Sequence, residues 1–467
     1  MKVDRTNAAL SDKVIVTGTA DLAGTVHHLH TGGTAADYQS GNQWIILEAG
    51  TVNGAFDDVI SNLAFLQPTL GYIGNNVVLS FITPNPNTFA AHGRTYNQRS
   101  VSAALGSLTP GSPLYNAILI TTKAQAERLL DSLSGELHST LFNNLLLLDK
   151  TFTRDLSRHI SKVSLYRNPD LQRFLTPAAG DDSSSGSGLL LSNGVWASVG
   201  GSHSRIDGDG NAAKSTLNGP DVSVGYDARL ADGWLAGMAM RYSFKELDIN
   251  ARRSDADIHS FTVGLYGGKE FDLGPGTMRL TATGAYTRHE VESSRTTSPG
   301  GIKQNLEADY GANSWQAALE AAWLVPVSES LFLEPFARVG LDHLRINGFS
   351  ETGGNAALRK KTEKDTQVAS VLGLRATLPL HEIVDLDAEV GWQHTYGSLR
   401  PESDFVFREG SDIFTIRGNS ASRDEALVNL GLNFKVTDNF RIKIGGDAAI
   451  GDNSEHYGGA ATFIIEW

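Results

Sequence analysis

From Gly194 to Trp467 the chain alternates between oily and wet positions. Leu331, Leu333, Ala337, Val339 and Leu341 share one face of a segment whose other face carries Glu334 and Arg338. Leu372, Leu374, Ala376 and Leu378 repeat the pattern around Arg375, and Ala426, Val428, Leu430, Leu432 and Phe434 repeat it again. A strand sends successive side chains to opposite faces, so a period of two predicts strands with one apolar and one polar side. Twelve such segments begin near Val195, Asp221, Trp234, His259, Thr277, Ser314, Leu331, Gln367, Val384, Asp424, Phe440 and His456. Short turns such as Asp272-Leu-Gly-Pro and Thr437-Asp-Asn alternate with longer polar loops around 206–217, 291–308, 347–365 and 399–422. The last segment puts Ala461, Phe463, Ile465 and Trp467 on one face and Thr462 and Glu466 on the other, with Ile464 the exception. An amphipathic strand left as an open edge invites aggregation, and closing the sheet on itself removes the edge.

Where the charges fall decides which face meets what. Glu320, Glu334, Arg338, Arg375, Asp387, Glu389, Arg441 and Lys443 all lie on the face opposite the aliphatic one. An Arg or Lys facing lipid costs about 2–4 kcal/mol at the bilayer midplane, so this segregation predicts a membrane barrel with an ionic lumen. Trp234, Trp315, Trp323, Trp392, Tyr396 and Trp467 stand near segment ends or on the apolar face, as interfacial girdles do. Short turns on one rim and long loops on the other fit the same architecture.

Ahead of the barrel the period changes twice. Residues 13–90 carry short apolar runs, Val14-Ile-Val-Thr, Gln43-Trp-Ile-Ile-Leu-Glu and Asn76-Val-Val-Leu-Ser-Phe-Ile, separated by Gly32-Gly33 and Asn53-Gly54. Such runs suit a parallel β-helix or a sandwich; their shortness favours the solenoid. Leu130, Leu133 and Leu137 then recur at helical spacing, interrupted by Gly135. Phe152, Leu156, Ile160 and Val163 form one face of a second helix, with Arg154, Arg158 and Lys162 opposite. A polar stretch, Asp181 to Gly188, follows as a flexible linker. The expected fold is all-β: a twelve-stranded antiparallel transmembrane β-barrel with an α-helix ahead of it, which the family resemblance given below implies is a lumenal α-helix, preceded by a short parallel β-helix fragment. Its expected parts are 1–96, the β-helix rungs; 97–150, a partly helical junction; 151–193, a linker helix and flexible linker, which the same resemblance implies run through the pore; and 194–467, the barrel.

Composition narrows the chemistry. The net charge of -13, from 52 acids and 39 bases, argues against nucleic-acid binding. No cysteine is present, so disulfides, thiolate nucleophiles and zinc–thiolate sites are excluded. Mean hydropathy is -0.18, and no apolar run approaches the roughly 20 residues of a spanning helix. Met1-Lys-Val-Asp-Arg-Thr-Asn has no signal-like apolar stretch, so the barrel reading calls for a longer precursor.

Several stretches, in order, resemble classical (type Va) bacterial autotransporters. They are Leu265-Tyr-Gly-Gly, Leu333-Glu-Pro-Phe-Ala, Phe349-Ser-Glu-Thr-Gly-Gly-Asn-Ala-Ala-Leu358, Leu372-Gly-Leu-Arg375, Gly391-Trp-Gln-His394 and Phe463-Ile-Ile-Glu-Trp467. Upstream, Leu63 to Tyr72 with Val77-Val-Leu-Ser resembles the last passenger rungs. Asn97 to Leu105 and Leu130 to His138 resemble the autochaperone-like junction. The resemblance implies an outer-membrane translocator that anchors and helps export its own N-terminal passenger to the cell surface. It implies partners too: outer-membrane lipid, periplasmic chaperones and the barrel-assembly machinery, which reads the final strand with Phe463, Ile465 and Trp467. A monomer without cofactor, metal or enzymatic activity is expected. Together with the helical stripe, the resemblance predicts that Arg154, Arg158 and Lys162 face lumenal acids, with Glu320, Glu334, Asp387 and Glu389 as candidates, holding the helix without a tight apolar seal.

Other chemistry is weaker. Some relatives release the passenger by self-cleavage at an Asn-Asn pair in the pore; Asn143-Asn144 sits upstream of the helix placed in the lumen, so cleavage is not expected. Asp207-Gly-Asp-Gly-Asn211 lacks the later residues of a calcium loop, and His27-His28-Leu29-His30 lacks supporting carboxylates. Gly-x-Ser-x-Gly does not occur, so an outer-membrane lipase is a distant alternative. A porin-like channel and a surface adhesin that uses the β-helix fragment are the remaining alternatives.

Overall fold

A computed structural model describes residues 12–32, 34–38, 42–82, 86–167, 193–230, 234–328 and 331–467. The polar linker expected at 181–188 lies outside the described residues. In chain order the head holds β1 (Val14–Leu22), β2 (Thr25–His28), β3 (Gln43–Gly54), β4 (Asp58–Ser61), β5 (Gln67–Ile73) and β6 (Asn76–Ile82). Helices α1 (Pro86–Ala90), α2 (Tyr96–Gly106), α3 (Pro113–Leu119), α4 (Lys123–Leu133) and α5 (Glu136–Arg167) follow. Strands β7 (Asn193–Ile206), β8 (Ser215–Arg229), β9 (Trp234–Ile249), β10 (Ser254–Leu273), β11 (Gly276–Thr297), β12 (Gln304–Ser328) and β13 (Leu331–Ile346) come next. The rest are β14 (Phe349–Ser350), β15 (Leu358–Lys360), β16 (Glu363–His381), β17 (Val384–Tyr396), β18 (Glu402–Phe407), β19 (Phe414–Arg417), β20 (Asp424–Lys435), β21 (Phe440–Gly451) and β22 (Ser454–Glu466).

Twelve of these strands close into an antiparallel barrel, β7 to β13 followed by β16, β17, β20, β21 and β22. The seam is β22 against β7, running from Ser454 opposite Ile206 to Glu466 opposite Gly194. The alternation of the sequence is the alternation of the wall. Leu319, Val339, Leu372, Val428 and Leu430 point outward and are exposed, while Glu320, Arg338, Arg375 and Asp387 are buried on the lumen side. Trp234, Trp315, Trp392, Tyr396 and Trp467 also face outward. Among the described residues no helix is long and apolar enough to cross a membrane.

Two expectations about strand extent are corrected. The stretch 291–308, expected as a loop, is mostly wall: β11 reaches Thr297 and β12 starts at Gln304. Loops 347–365 and 399–422 build a small antiparallel sheet, β14-β15-β18-β19, outside the barrel. The head is solenoid only in part. β1 pairs parallel with β3 and β2 parallel with β4, but β6 runs antiparallel to both β3 and β5. The antiparallel pair ends the rungs because a tight turn at Gly74, φ +59, sends β6 straight back along β5.

Candidate translocation lumen

Helix α5 is 32 residues long and threads the closed barrel. It begins at Glu136, just after Gly135, whose φ of +65 separates it from α4. A Cβ there would lie 2.4 Å from Leu358 Cδ1, so the break is also where the helix passes under the loop sheet. The single helix includes Asn143 and Asn144, which the sequence reading separated from the lumenal segment. Asn143 donates to the carbonyls of Leu399 and Asn419, each at 2.9 Å, and Asn144 to that of Thr140 at 3.0 Å.

The lumen has three zones, legible down one strand. On β12 the inward residues are Leu306, Ala308, Tyr310 and Ala312, then Ser314 and Gln316, then Glu320, then Leu324. The outer zone is an apolar collar. Leu137, Leu141, Phe142, Leu145 and Leu146 of α5 share one buried core with the strand tops and with Leu358, Phe405 and Phe414 of the loop sheet. This corrects the expected absence of a tight apolar seal. The same core takes in Leu114 and Ile118 of α3 and Phe65 of the head, so the head, the cap (α1–α4 with the loop sheet) and α5 bury their apolar surface together.

The middle zone sorts α5 by face. Phe152, Leu156, Ile160 and Val163 pack against Trp196, Leu235, Ala239 and Tyr266 on the β7–β10 side. Gly264 makes room for them: a Cβ there would sit 2.7 Å from the Phe152 ring. The basic face meets acids on the other wall. Arg158 Nε donates to Glu389 Oε1 at 3.1 Å and lies 3.7 Å from Asp447. Lys162 pairs with Asp387 and also donates to Thr377. Arg375 is a hub, holding Glu320 through both oxygens at 2.8 and 3.0 Å, Glu334 at 2.7 Å and Glu389 at 2.8 Å. Its guanidinium also lies 3.9 Å from the Phe336 ring centroid.

Arg154 and Arg338 are buried without an ion pair among the described residues, although Arg338 stands opposite Glu320 across β12 and β13. The sequence missed several partners. Asp155 of α5 accepts from Arg241 at 2.6 Å, Ser161 donates to Glu334 at 2.9 Å, and Arg279 adds a bond to Glu334 at 2.7 Å. His159 meets Asp227 at 2.8 Å beside Tyr266. The helical wheel carried a signal for Asp155, one residue past Arg154, but a lone acid on a basic stripe does not name Arg241. The inner zone is small and apolar: Leu165 against Leu324 and Phe332. A cavity of about 140 Å³, lined by Thr151, Asp155, Ser198, Gly200 and Gly445, lies beside α5. At about 30 Å³ per water it takes a few waters, not a second polypeptide.

A sequence profile described as the autotransporter beta-domain matches residues 195–447, more than half of the chain. The chain belongs to the autotransporter family. A curated relative, the extracellular serine protease of Serratia marcescens, is 28% identical over 463 residues, 89% of this chain and 42% of the relative. Esterase EstA of Pseudomonas aeruginosa is 22% identical over 259 residues, covering 54% of this chain and 40% of its own. The chain thus spans less than half the length of these curated relatives. The translocator domain of the autotransporter NalP from Neisseria meningitidis superposes with a TM-score of 0.53 at 13% identity, over 70% of this chain and 99% of that one. The autotransporter barrel is an outer-membrane translocator that carries a passenger to the surface, and its long-loop rim faces outside.

Proposed function

We propose that this autotransporter ends export with its own linker helix as a plug, leaving the head docked on the barrel's outer rim. The supporting observation is α5, gripped by the apolar collar outside and by Arg158 and Lys162 inside. On this reading the barrel-assembly machinery takes β22 as its recognition strand. Phe463, Ile465 and Trp467 are 41%, 53% and 50% exposed on the outward face, available to an inserting partner. Periplasmic chaperones deliver the chain, which then acts as a monomer and not as a catalyst. The passenger's activity is hydrolytic in the relatives named above, and a hydrolase is the class of cargo we propose here.

Single-channel recording tests the plug. Arg158→Glu with Lys162→Glu sets two acids against Glu389 and Asp387, and the barrel should conduct more and flicker in planar bilayers. Conductance equal to the unaltered protein would overturn the reading. Arg154→Glu alone should have the smaller effect, because Arg154 makes no ion pair among the described residues.

A further inference from the structure

The bases of α5 recur every four residues, Lys150, Arg154, Arg158 and Lys162. The lumen-facing positions of β17 recur every two, Gln393, Gly391, Glu389, Asp387 and Asp385. Four helical residues rise about 6 Å. Two strand residues advance about 6.8 Å, or about 5 Å along the barrel axis at a tilt near 40°. The two ladders therefore keep step. Arg158 on Glu389 and Lys162 on Asp387 are consecutive rungs. The next rung outward sets Arg154 level with Gly391, which offers no acceptor. Arg154 is 6% exposed, and its Nε and Nη2 have no hydrogen-bond partner among the described residues.

One rung toward the short-turn rim, the match is different. Arg154 comes level with Glu389, Arg158 with Asp387 and Lys162 with Asp385. The apolar stripe has the same four-residue step, so Leu148 replaces Phe152, Phe152 replaces Leu156 and Leu156 replaces Ile160. Ser157 replaces Ser161, preserving a hydroxyl before Glu334.

We propose that α5 has a second resting register in the lumen, four residues short of the final one, in which Arg154 and Arg158 pair with Glu389 and Asp387. The proposal rests on the export reading and refines its last step. A chain moving outward reaches this register immediately before the final one. Ion pairing favours the earlier register; burial of Leu141 and Leu145 in the collar selects the later one. Gly391 withholds a partner from Arg154, so the final position is set by apolar contact and not by charge.

The chain has no cysteine, so two introduced thiols report alone. Nitroxides at Thr151→Cys, which lines the cavity, and Asp438→Cys, in an exposed short turn, move about 6 Å closer when the helix slips one rung. Pulsed electron resonance on the full chain in detergent should give one separation. Relieving the collar with Leu141→Asn and Leu145→Asn should add a population about 6 Å shorter. In that background Arg154→Gln or Gly391→Asp should abolish the short population. A single unshifted separation in the collar-relieved chain, with heat-modifiable migration confirming a closed barrel, would overturn the proposal. So would a short population indifferent to Arg154. A second measurement leaves the collar intact: Gly391→Asp gives Arg154 a partner and should raise the thermal midpoint, and Arg154→Gln should cancel that rise. No rise overturns it equally. Failure of the export reading shows separately, as absence of the head from the surface of intact cells.

Discussion

Arg375 carries more of the lumen than any other side chain described. It satisfies three carboxylates, on β12, β13 and β17, and its guanidinium lies over the Phe336 ring. Removing one partner of a buried pair leaves the other desolvated and uncompensated, at a cost of about 3–5 kcal/mol. Arg375→Met should therefore lower the unfolding midpoint in detergent far more than Lys443→Met, whose ammonium lies 4.0 Å from Asp387. Equal losses would show that the hub is no hub. Gly135→Val is the backbone counterpart. It forces a β-branched residue into positive φ, worth about 1–3 kcal/mol, and drives a side chain into Leu358. Limited proteolysis should then cut between α4 and α5, where the unaltered protein resists.

Among the elements, α5 shows what pattern can and cannot reveal. Its apolar and basic stripes were legible because a 3.6-residue period is local. Which acid meets which base was not, because that depends on how far the helix is rotated and slid within the wall. Arg154 looked equivalent to Arg158 in sequence, yet Arg158 pairs with Glu389 while Arg154 pairs with no carboxylate among the described residues. The strands were legible for the same local reason, down to the inward set from Glu320 to Glu389. The collar was missed because strand tops on β11 and β12 carry Ser, Thr, Asp and Glu outward above the bilayer, which reads as loop. The collar predicts its own test. Leu141→Ala and Leu145→Ala each remove a fully buried side chain, typically about 2–5 kcal/mol. The pair should loosen the outer end of the plug while Arg158 and Lys162 still hold the inner end. Hydrogen exchange should then rise across the first turns of α5 before it rises around Arg158.

On the scale of the whole molecule, acid should loosen the head over a narrower range of pH than the loop sheet. Burial lowers the His28 pKa to about 4, against 6.5 for the unfolded chain. The unfolded form takes up the proton first, so the contribution of His28 is complete above about pH 6.5 and is lost as pH falls toward 4. Glu351 joins the loop sheet to Arg295 at 2.6 Å and to His138 of α5 at 2.9 Å. Burial alone would push its carboxyl up, but Arg295 and His138 outweigh that and hold it down to about 2. Its contribution is complete above the unfolded value near 4.5 and is lost only between there and about 2. Protease sensitivity of residues 14–82 on intact cells should rise between pH 6.5 and 4; cuts within 349–417 should begin in the same range, because burial also lowers the His138 pKa, and should go on rising as Glu351 is lost toward pH 2. His28→Asn should flatten the rise in 14–82 and leave that in 349–417.

The core shared by head, cap and plug has a practical corollary for surface display. Cargo is best joined ahead of Val14, because the head from β1 onward shares one continuous buried core with the collar. Trimming the head to shorten such a carrier would uncover Phe89, which packs on Phe65 of the head, and through it Tyr115 to water at the cell exterior, and neighbouring carriers would then adhere to one another through their bared lids.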